Sequence, residues 1–434
     1  MAAAGYRSKI MDAAARRRRL GSFGDLGPGA LATGEWQALG LELPDVDAMR
    51  SYRLARVRAQ LAARDYAGIV VTDPINIRYT TDSANMQVWC LHNPARYAFV
   101  ATAGPVIVFD FHGCAHLSRR LDLVDEVRPA RAWYFFHGGA RVDEHAASWA
   151  AEIADVVRAH GAGNRRLAVD RADREGIAAL EALGLSLHAG QEVMELARAI
   201  KSEDEINAMR CALAACEAAM RVMQDQLRPG VTEQELWAHL HAGNIRRGGE
   251  WIETRLLSSG PRTNPWFQEC SSRAIEDGDL VAFDTDLIGP YGYCADISRT
   301  WRCGDGRGSN AQIDLYRRAR EQIAYNLELV RPGLGFREFS EKAFRLPERY
   351  RANRYSTVAH GVGLCDEYPA IYYPEDAAET GYDGMLEAGM TICLESYIGA
   401  AGGAEGVKLE EQVLVTATGC EVLSRYPFED AAFG

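Results

Sequence analysis

Six residues in the second half of the chain are of types that bind divalent or trivalent metal ions. Five are carboxylates and one is an imidazole, a hard and oxygen-rich set that suits a pair of such ions. The set therefore predicts metal-assisted chemistry. The six residues are Asp284, Asp286, Asp296, His360, Glu395 and Glu410.

The first three acids lie on a predicted β-hairpin. Residues 280–288 are typical of a strand, in which Asp284 and Asp286 point to the same face because side chains alternate. A Gly-Pro-Tyr-Gly turn follows, and a hairpin centred on Pro290 places Asp284 opposite Asp296. Directly opposed residues have Cβ atoms about 5 Å apart. Carboxylates that close repel each other unless a cation lies between them.

A second hairpin repeats this arrangement. Residues 390–397 and 407–415 are predicted strands, and the sequence Ala-Gly-Gly-Ala lies between them. Centring the turn there places Glu395 opposite Glu410, whereas Glu411 faces the other side of its strand and is the weaker candidate.

The nitrogen ligand is predicted to be His360. It is the only histidine after residue 241, and the glycines that follow it allow close approach of the backbone. A site with one histidine and five carboxylates accepts iron, manganese, zinc or cobalt, so the residues alone do not select the metal.

The elements that must position these residues fall into two domains, as expected for 434 residues. Helix-like and strand-like segments alternate up to residue 195, which predicts a mixed α/β domain over 1–195. Strand signals dominate beyond residue 250, interrupted by a helix near 310–330, and we place a catalytic domain over 196–434. The predicted fold class is mixed α/β. A Ser202-Glu203-Asp204-Glu205 sequence marks a helix start near the boundary.

The composition indicates a soluble globular protein rather than a membrane or nucleic-acid-binding protein. The net charge is −12, and no apolar stretch is long enough to cross a bilayer. The basic run Arg16–Arg19 lacks a following apolar segment, so we expect a solvated tail or a subunit contact rather than an export signal. The ten cysteines form no CxxC pair and are expected to be reduced thiols of a cytoplasmic protein.

The motifs around the six residues resemble the pita-bread metallopeptidase superfamily, which includes aminopeptidase P, prolidase, methionine aminopeptidase and creatinase. The order of the acids and His360 matches, as do Gly292-Tyr293 before Asp296 and Ser298-Arg299-Thr300 after it. The resemblance covers the whole chain. It implies a C-terminal pita-bread domain and a smaller N-terminal domain of the ribonuclease-H-like creatinase type.

Two departures argue against peptide hydrolysis. Peptidases of this superfamily have a histidine in the stretch that corresponds to Ser259–Gln268, where this chain has none. They also have a histidine seven residues after the metal-binding one, where this chain has Glu367, preceded by Asp366. The peptidases also space their first acids differently around the position of Asp286.

These departures resemble those of one branch, the DddP-type lyases that cleave dimethylsulfoniopropionate (DMSP) to dimethyl sulfide and acrylate. This resemblance implies two iron ions, a homodimer and the small molecule DMSP as substrate. It assigns Asp366 as the general base, with Glu367 as the alternative, and the aromatic rings of Trp89 and Tyr355 as the sulfonium-binding wall. The competing hypotheses are an Xaa-Pro peptidase or creatinase-like C–N hydrolase, and a non-catalytic binding protein.

Overall fold

The computed structural model describes residues 27–434, so the basic run Arg16–Arg19 falls outside the described residues. These residues form two compact units, one of Tyr66–His188 and one of Pro28–Asp65 with Ala189–Gly434. A single boundary near residue 195 would place Pro28–Asp65 in the first unit. The helix in that segment instead contacts the second unit, where the Tyr52 hydroxyl donates to the carbonyl of Ile200 at 3.0 Å. Across residues 27–434, no helix is both long enough and apolar enough to cross a membrane.

The first unit is built on a six-stranded mixed sheet in the order β4-β3-β2-β1-β5-β6. The strands are β1 (Gly68–Val71), β2 (Tyr97–Ala101), β3 (Val106–Asp110), β4 (Glu126–Pro129), β5 (Arg166–Val169) and β6 (Ser186–Ala189). The helices span Pro74–Thr81, Gln87–Cys90, Phe135–Gly138, Val142–His160 and Arg174–Ala182. Apolar runs fill the central strands because both faces of the sheet are buried. Trp133 and Trp149, stacked at 4.0 Å between ring centroids, lie in this core.

The second unit carries three sheets, in the orders β11-β8-β7, β10-β9 and β13-β12-β14-β15-β16. The first two comprise β7 (Leu257–Ser259), β8 (Leu280–Asp284), β9 (Leu287–Ile288), β10 (Cys294–Ala295) and β11 (Ser298–Arg302). The third comprises β12 (Thr357–Val362), β13 (Asp366–Tyr372), β14 (Thr391–Gly399), β15 (Gly406–Val415) and β16 (Cys420–Val422).

Helices of the second unit include the predicted one near residues 310–330, which spans Asn310–Leu329. The others are Ala30–Ala38, Val46–Ala63, Gly190–Arg198, Glu203–Asp225, Glu233–Arg246, Phe336–Lys342, Glu348–Arg351, Pro374–Thr380 and Asp430–Phe433. The predicted helix start at Ser202 is confirmed, because Ser202 and Glu205 form a reciprocal capping box.

The helix at Asn310–Leu329 covers one face of the five-stranded sheet. Ser396 on β14 donates a hydrogen bond to Gln322 of this helix at 2.9 Å. Apolar side chains such as Leu394 and Leu409 belong to the same core as this helix. Because side chains alternate along a strand, the neighbouring residues Glu395 and Glu410 face the opposite side of the sheet.

Candidate metal centre

The hairpin of β14 and β15 confirms the predicted pairing of its two acids. Glu395 lies directly opposite Glu410, and the turn occupies residues 400–405 between the strands. Both glutamates are at most 1% exposed. Glu411 faces the other side of β15, as predicted, and bonds Arg299 at 2.9 Å.

The register of the first hairpin differs from the prediction by two residues. Asp284 lies opposite Ser298 rather than Asp296. The same register pairs Leu287 with Ala295 on β9 and β10. The turn is centred on Tyr291, which adopts φ 63° within the Pro290–Gly292 turn, and not on Pro290. A shift of two residues keeps every side chain on its face, so the acids still meet on one side.

Asp286 does not continue the strand as predicted. Its φ of 35° interrupts the hairpin between β8 and β9. Its amide lies 3.3 Å from Oδ1 of Asp296, and its carboxylate accepts a hydrogen bond from Thr254 at 2.8 Å. The break therefore places Asp286 beside Asp296, although simple alternation along a strand does not explain its position.

All six predicted ligands lie in one continuous cluster. Their donor atoms form three groups in which every pair of atoms lies within 4.8 Å, and Asp284, Asp296 and Glu410 each belong to two groups. The groups are Asp284 with Asp286 and Asp296, Asp284 with Glu395 and Glu410, and Asp296 with His360, Cys393 and Glu410. Shared acids of this kind allow two ions to be held side by side.

His360 is oriented for ligation by its ring nitrogens. Nε2 lies 3.3 Å from Oε1 of Glu395 and 3.8 Å from Oδ2 of Asp296. Nδ1 lies 3.1 Å from the carbonyl oxygen of Gly361. A proton on Nδ1 that bonds this carbonyl leaves the Nε2 lone pair directed into the acids, where a metal would lie.

The carboxylates have the electrostatics of a site built around cations. Burial raises the pKa values of Asp286, Asp296 and Glu410 well above the usual range, and neighbouring carboxylates raise them further. Among the described residues, none donates a hydrogen bond to the buried Oε1 of Glu410. Bound cations would stabilise the ionised acids and satisfy this oxygen, so the residues present fit a metal pair.

Lys408 lies inside the cluster, although it is not one of the six predicted residues. Its buried Nζ lies 2.8 Å from Oδ2 of Asp284, 2.7 Å from Oε2 of Glu395 and 3.6 Å from Oε2 of Glu410. Burial alone would lower the pKa of the ammonium, but these acids raise it well above its usual value. For Asp284, burial acts to raise the carboxyl pKa, but Lys408 and hydrogen bonds, including that from Ser298, lower it to about 2.

A sequence signal for Lys408 exists in its strand. Lys408, Glu410 and Gln412 occupy alternate positions of β15 and therefore share one face. A stripe of three polar residues on one face of a strand that is otherwise mostly Val and Leu predicts a buried polar site. Gln412 also serves this site, because its side-chain oxygen accepts a hydrogen bond from the amide of Asp296 at 3.1 Å.

The two proposed bases have different surroundings. Asp366 begins β13, its side chain is 49% exposed, and Oδ1 lies 3.6 Å from Nδ1 of His360. Glu367 is buried and forms ion pairs with Arg198, at 2.8 Å, and with Lys201. A carboxylate held by two cations is poorly placed to accept a proton from a substrate, so the geometry favours Asp366 over Glu367.

The proposed sulfonium-binding residues lie in different units. Tyr355 belongs to the second unit, where its ring centroid lies 4.5 Å from Nζ of Lys408 and so borders the cluster. Trp89 belongs to the first unit, where its ring meets that of Phe111 edge-on at 5.8 Å.

The cysteines near the centre differ in exposure. Cys294 and Cys393 are fully buried, whereas Cys365 is partly exposed. Burial raises the pKa of all three thiols well above its usual value. Cys393 lies opposite His360 in the sheet, and its Sγ is within 4.8 Å of donor atoms of the cluster, so its thiol borders the predicted ligands.

Comparisons with known proteins agree with this description. The model of metallopeptidase family M24 matches residues 207–417. A protein of Roseovarius nubinhibens named dimethylsulfoniopropionate lyase DddP is 46% identical over 415 residues, covering 94% of this chain and 93% of that protein. A protein of Roseobacter denitrificans with the same name is 45% identical over the same shares.

Solved structures share the fold at lower identity. An Xaa-Pro dipeptidase from Bacillus anthracis is 23% identical with a TM-score of 0.68, covering 87% of this chain and 98% of that chain. A prolidase from Thermococcus sibiricus is 21% identical with a TM-score of 0.70, covering 88% and 98%. The fold prediction, a mixed α/β protein with a pita-bread catalytic domain, is confirmed.

Proposed function

The chain belongs to the DddP family of dimethylsulfoniopropionate lyases, and from that premise we propose that it cleaves DMSP to dimethyl sulfide and acrylate. The observation that carries this proposal is the 46% identity to a lyase of that name along 94% of the chain. The absence of the two peptidase histidines from the sequence supports it.

The reaction is a β-elimination. A base takes a proton from the carbon next to the substrate carboxylate, and the electrons of that C–H bond form the double bond of acrylate. The bond between the β-carbon and sulfur breaks, and its electrons leave with dimethyl sulfide. The base is protonated at the end of the step and must lose that proton to solvent before the next cycle.

We propose that the metal centre binds the substrate carboxylate. Asp284, Asp286, Asp296, His360, Glu395 and Glu410 would hold two metal ions, for which we propose iron over manganese, zinc or cobalt. When bound, the ions supply positive charge that stabilises the negative charge building up on the carboxylate as the proton leaves.

We assign proton abstraction to Asp366. Its half-exposed carboxylate borders His360, and proton loss to solvent is possible there. Tyr355 supplies an aromatic surface to the sulfonium by cation–π attraction. Trp89 remains a proposed substrate-binding residue, and a homodimer the proposed assembly, both on the strength of the family resemblance.

The primary test is the release of dimethyl sulfide. Purified protein is incubated with DMSP, and headspace dimethyl sulfide is measured, with Xaa-Pro dipeptides in parallel. We expect dimethyl sulfide and no dipeptide cleavage. Dipeptide cleavage without dimethyl sulfide would establish the peptidase alternative instead.

Two variants separate the roles of metal and base. Asp366→Asn should keep the metal content measured by elemental analysis but lose about 10²- to 10⁴-fold in turnover, the usual contribution of a general base. Asp296→Ala should lose metal as well as activity. An exposed acid gives the matched control, Asp305→Asn, which should keep both. Full activity of Asp366→Asn would show that another group removes the proton.

A further inference from the structure

Tyr355 stacks on a second aromatic ring, which is exposed to solvent. Phe267 stacks on Tyr355 with 5.3 Å between ring centroids and an angle of 26° between the planes. The ammonium of Lys408, which is fully buried, also lies over the Tyr355 ring, at 4.5 Å. Lys408 is buried, whereas Phe267 is 56% exposed. Of the two stacked rings, that of Phe267 is the more exposed to solvent.

The backbone holds Phe267 in an unfavourable conformation to present this ring. Its φ is 68°, in the left-handed region that bulky side chains rarely adopt. Burial does not explain this strain, because more than half of the residue faces solvent. Strain that packing does not explain is a feature of sites that position a group for a ligand.

The loop that carries Phe267 is fixed to the hairpin of the metal centre. The side-chain amide of Asn264 donates to the carbonyl of Ala400 at 2.8 Å and to that of Gly403 at 2.9 Å. The hydroxyl of Tyr397 on β14 donates to the carbonyl of Thr263 at 2.8 Å. Ala400 and Gly403 lie in the turn that joins the strands of Glu395 and Glu410, so Phe267 is held at a fixed position relative to these acids.

We propose that Phe267 is a specificity-determining residue whose exposed ring selects substrates with a sulfonium or quaternary ammonium end group. This inference rests on the proposed function, because it takes the substrate carboxylate to lie at the metal ions. The face of an aromatic ring has a negative electrostatic potential, although the ring carries no net charge. It therefore attracts a cation bearing methyl groups, and this attraction is lost when the sulfur leaves as neutral dimethyl sulfide.

The test uses two ligands of the same shape that differ in charge. The first is 3-(trimethylammonio)propanoate, and the second is 4,4-dimethylpentanoate, which replaces the cationic nitrogen by carbon. Dissociation constants are measured by calorimetry on the full-length, metal-loaded protein. In the wild type, the ligand with the cationic trimethylammonio end should bind more tightly than the ligand with the uncharged tert-butyl end.

Phe267→Leu keeps an apolar side chain but removes the ring. It should weaken binding of the cationic ligand about three- to tenfold, as expected for a partly exposed cation–π contact. Binding of 4,4-dimethylpentanoate should change less than about twofold, and Phe267→Tyr should restore the preference. Tyr325→Leu, which removes another half-exposed ring of the second unit, should leave both constants unchanged.

Equal weakening of both ligands by Phe267→Leu would overturn the proposal, because the ring would then act only by apolar contact. No change in either constant would overturn it as well. Unfolding midpoints and metal contents equal to those of the wild type show that the variants are folded. Calorimetry needs no turnover, so its outcome is separate from the dimethyl sulfide assay: charge selection by Phe267 can hold in a protein that releases no dimethyl sulfide, and can fail in one that does.

Discussion

Replacing Lys408 with methionine is expected to destabilise the metal-free protein by about 3–5 kcal/mol, the usual cost of removing one partner from a buried ion pair. The side chain is 0% exposed, and its Nζ lies within 2.8 Å of two carboxylates. Methionine retains the apolar stem of the side chain, so the change removes mainly the charge.

The magnitude should depend on whether metal is bound. When ionised, the five carboxylates of the centre carry −5 and Lys408 carries +1, which leaves −4, the charge that two divalent cations cancel. Without metal, Lys408 is the cation closest to Asp284 and Glu395, whose contacts are 2.8 and 2.7 Å. With metal bound, the ions neutralise most of the charge that Lys408 leaves behind. We therefore expect Lys408→Met to lose less stability when metal is bound.

The assay is urea unfolding of chelator-treated protein and of protein loaded with manganese(II). The matched control is Lys342→Met, since Lys342 is 54% exposed and pairs with Glu338 one helical turn away at 2.7 Å. Such a surface pair contributes about 0.3–0.5 kcal/mol. Two outcomes would refute this expectation: a free energy of unfolding of metal-free Lys408→Met equal to that of the metal-free wild type, or an equal loss of stability with and without metal.

Two further predictions concern buried glutamates outside the six ligands. Glu367→Gln should destabilise the protein by about 3–5 kcal/mol by removing the buried carboxylate that pairs with Arg198 and Lys201, yet the folded fraction should still release dimethyl sulfide. A stable but inactive variant would make Glu367 the base. Burial raises the pKa of the Glu217 carboxyl above its value of about 4.3 in the unfolded chain. The protonated carboxyl therefore stabilises the folded state fully below the unfolded pKa, and this stabilisation is lost as the pH rises through the folded pKa. In urea unfolding, the free energy of unfolding of Glu217→Gln relative to the wild type should therefore increase from pH 4 to pH 7. The control Glu203→Gln, at an exposed position, should show no such increase. A difference between Glu217→Gln and the wild type that does not change with pH would contradict this prediction.

The second hairpin was predictable because its strand pattern and its turn sequence indicate the same pairing of strands. Two apolar runs of suitable length flank a Gly-Gly turn, and the face of each acid follows from alternation. Glu395 and Glu410 therefore lie as predicted. The presence of a second domain follows from the length of the chain, and the helix at Asn310–Leu329 follows from its sequence pattern.

The first hairpin was harder because its turn depends on a residue with no local signal. Pro290 suggests the turn centre, but Tyr291 adopts the left-handed conformation that sequence normally assigns to glycine or asparagine. Asp286 and Phe267 also have positive φ values, which tertiary contacts impose and local sequence does not indicate. The alternation of Lys408, Glu410 and Gln412 along β15 indicates a buried polar face, but the contacts of Lys408 with Asp284 and Glu395 form only when three strands come together.

Cys393 adds a sulfur atom to a centre whose predicted ligands offer only oxygen and nitrogen, because its Sγ lies within 4.8 Å of donor atoms of Asp296, His360 and Glu410. Without metal, burial and nearby carboxylates raise the pKa of this thiol, which favours the protonated form. Thiophilic ions such as cadmium(II) and mercury(II) displace that proton and gain a sulfur ligand. A site with oxygen ligands alone lacks this vulnerability, so traces of heavy metals should inactivate this protein by occupying the centre itself.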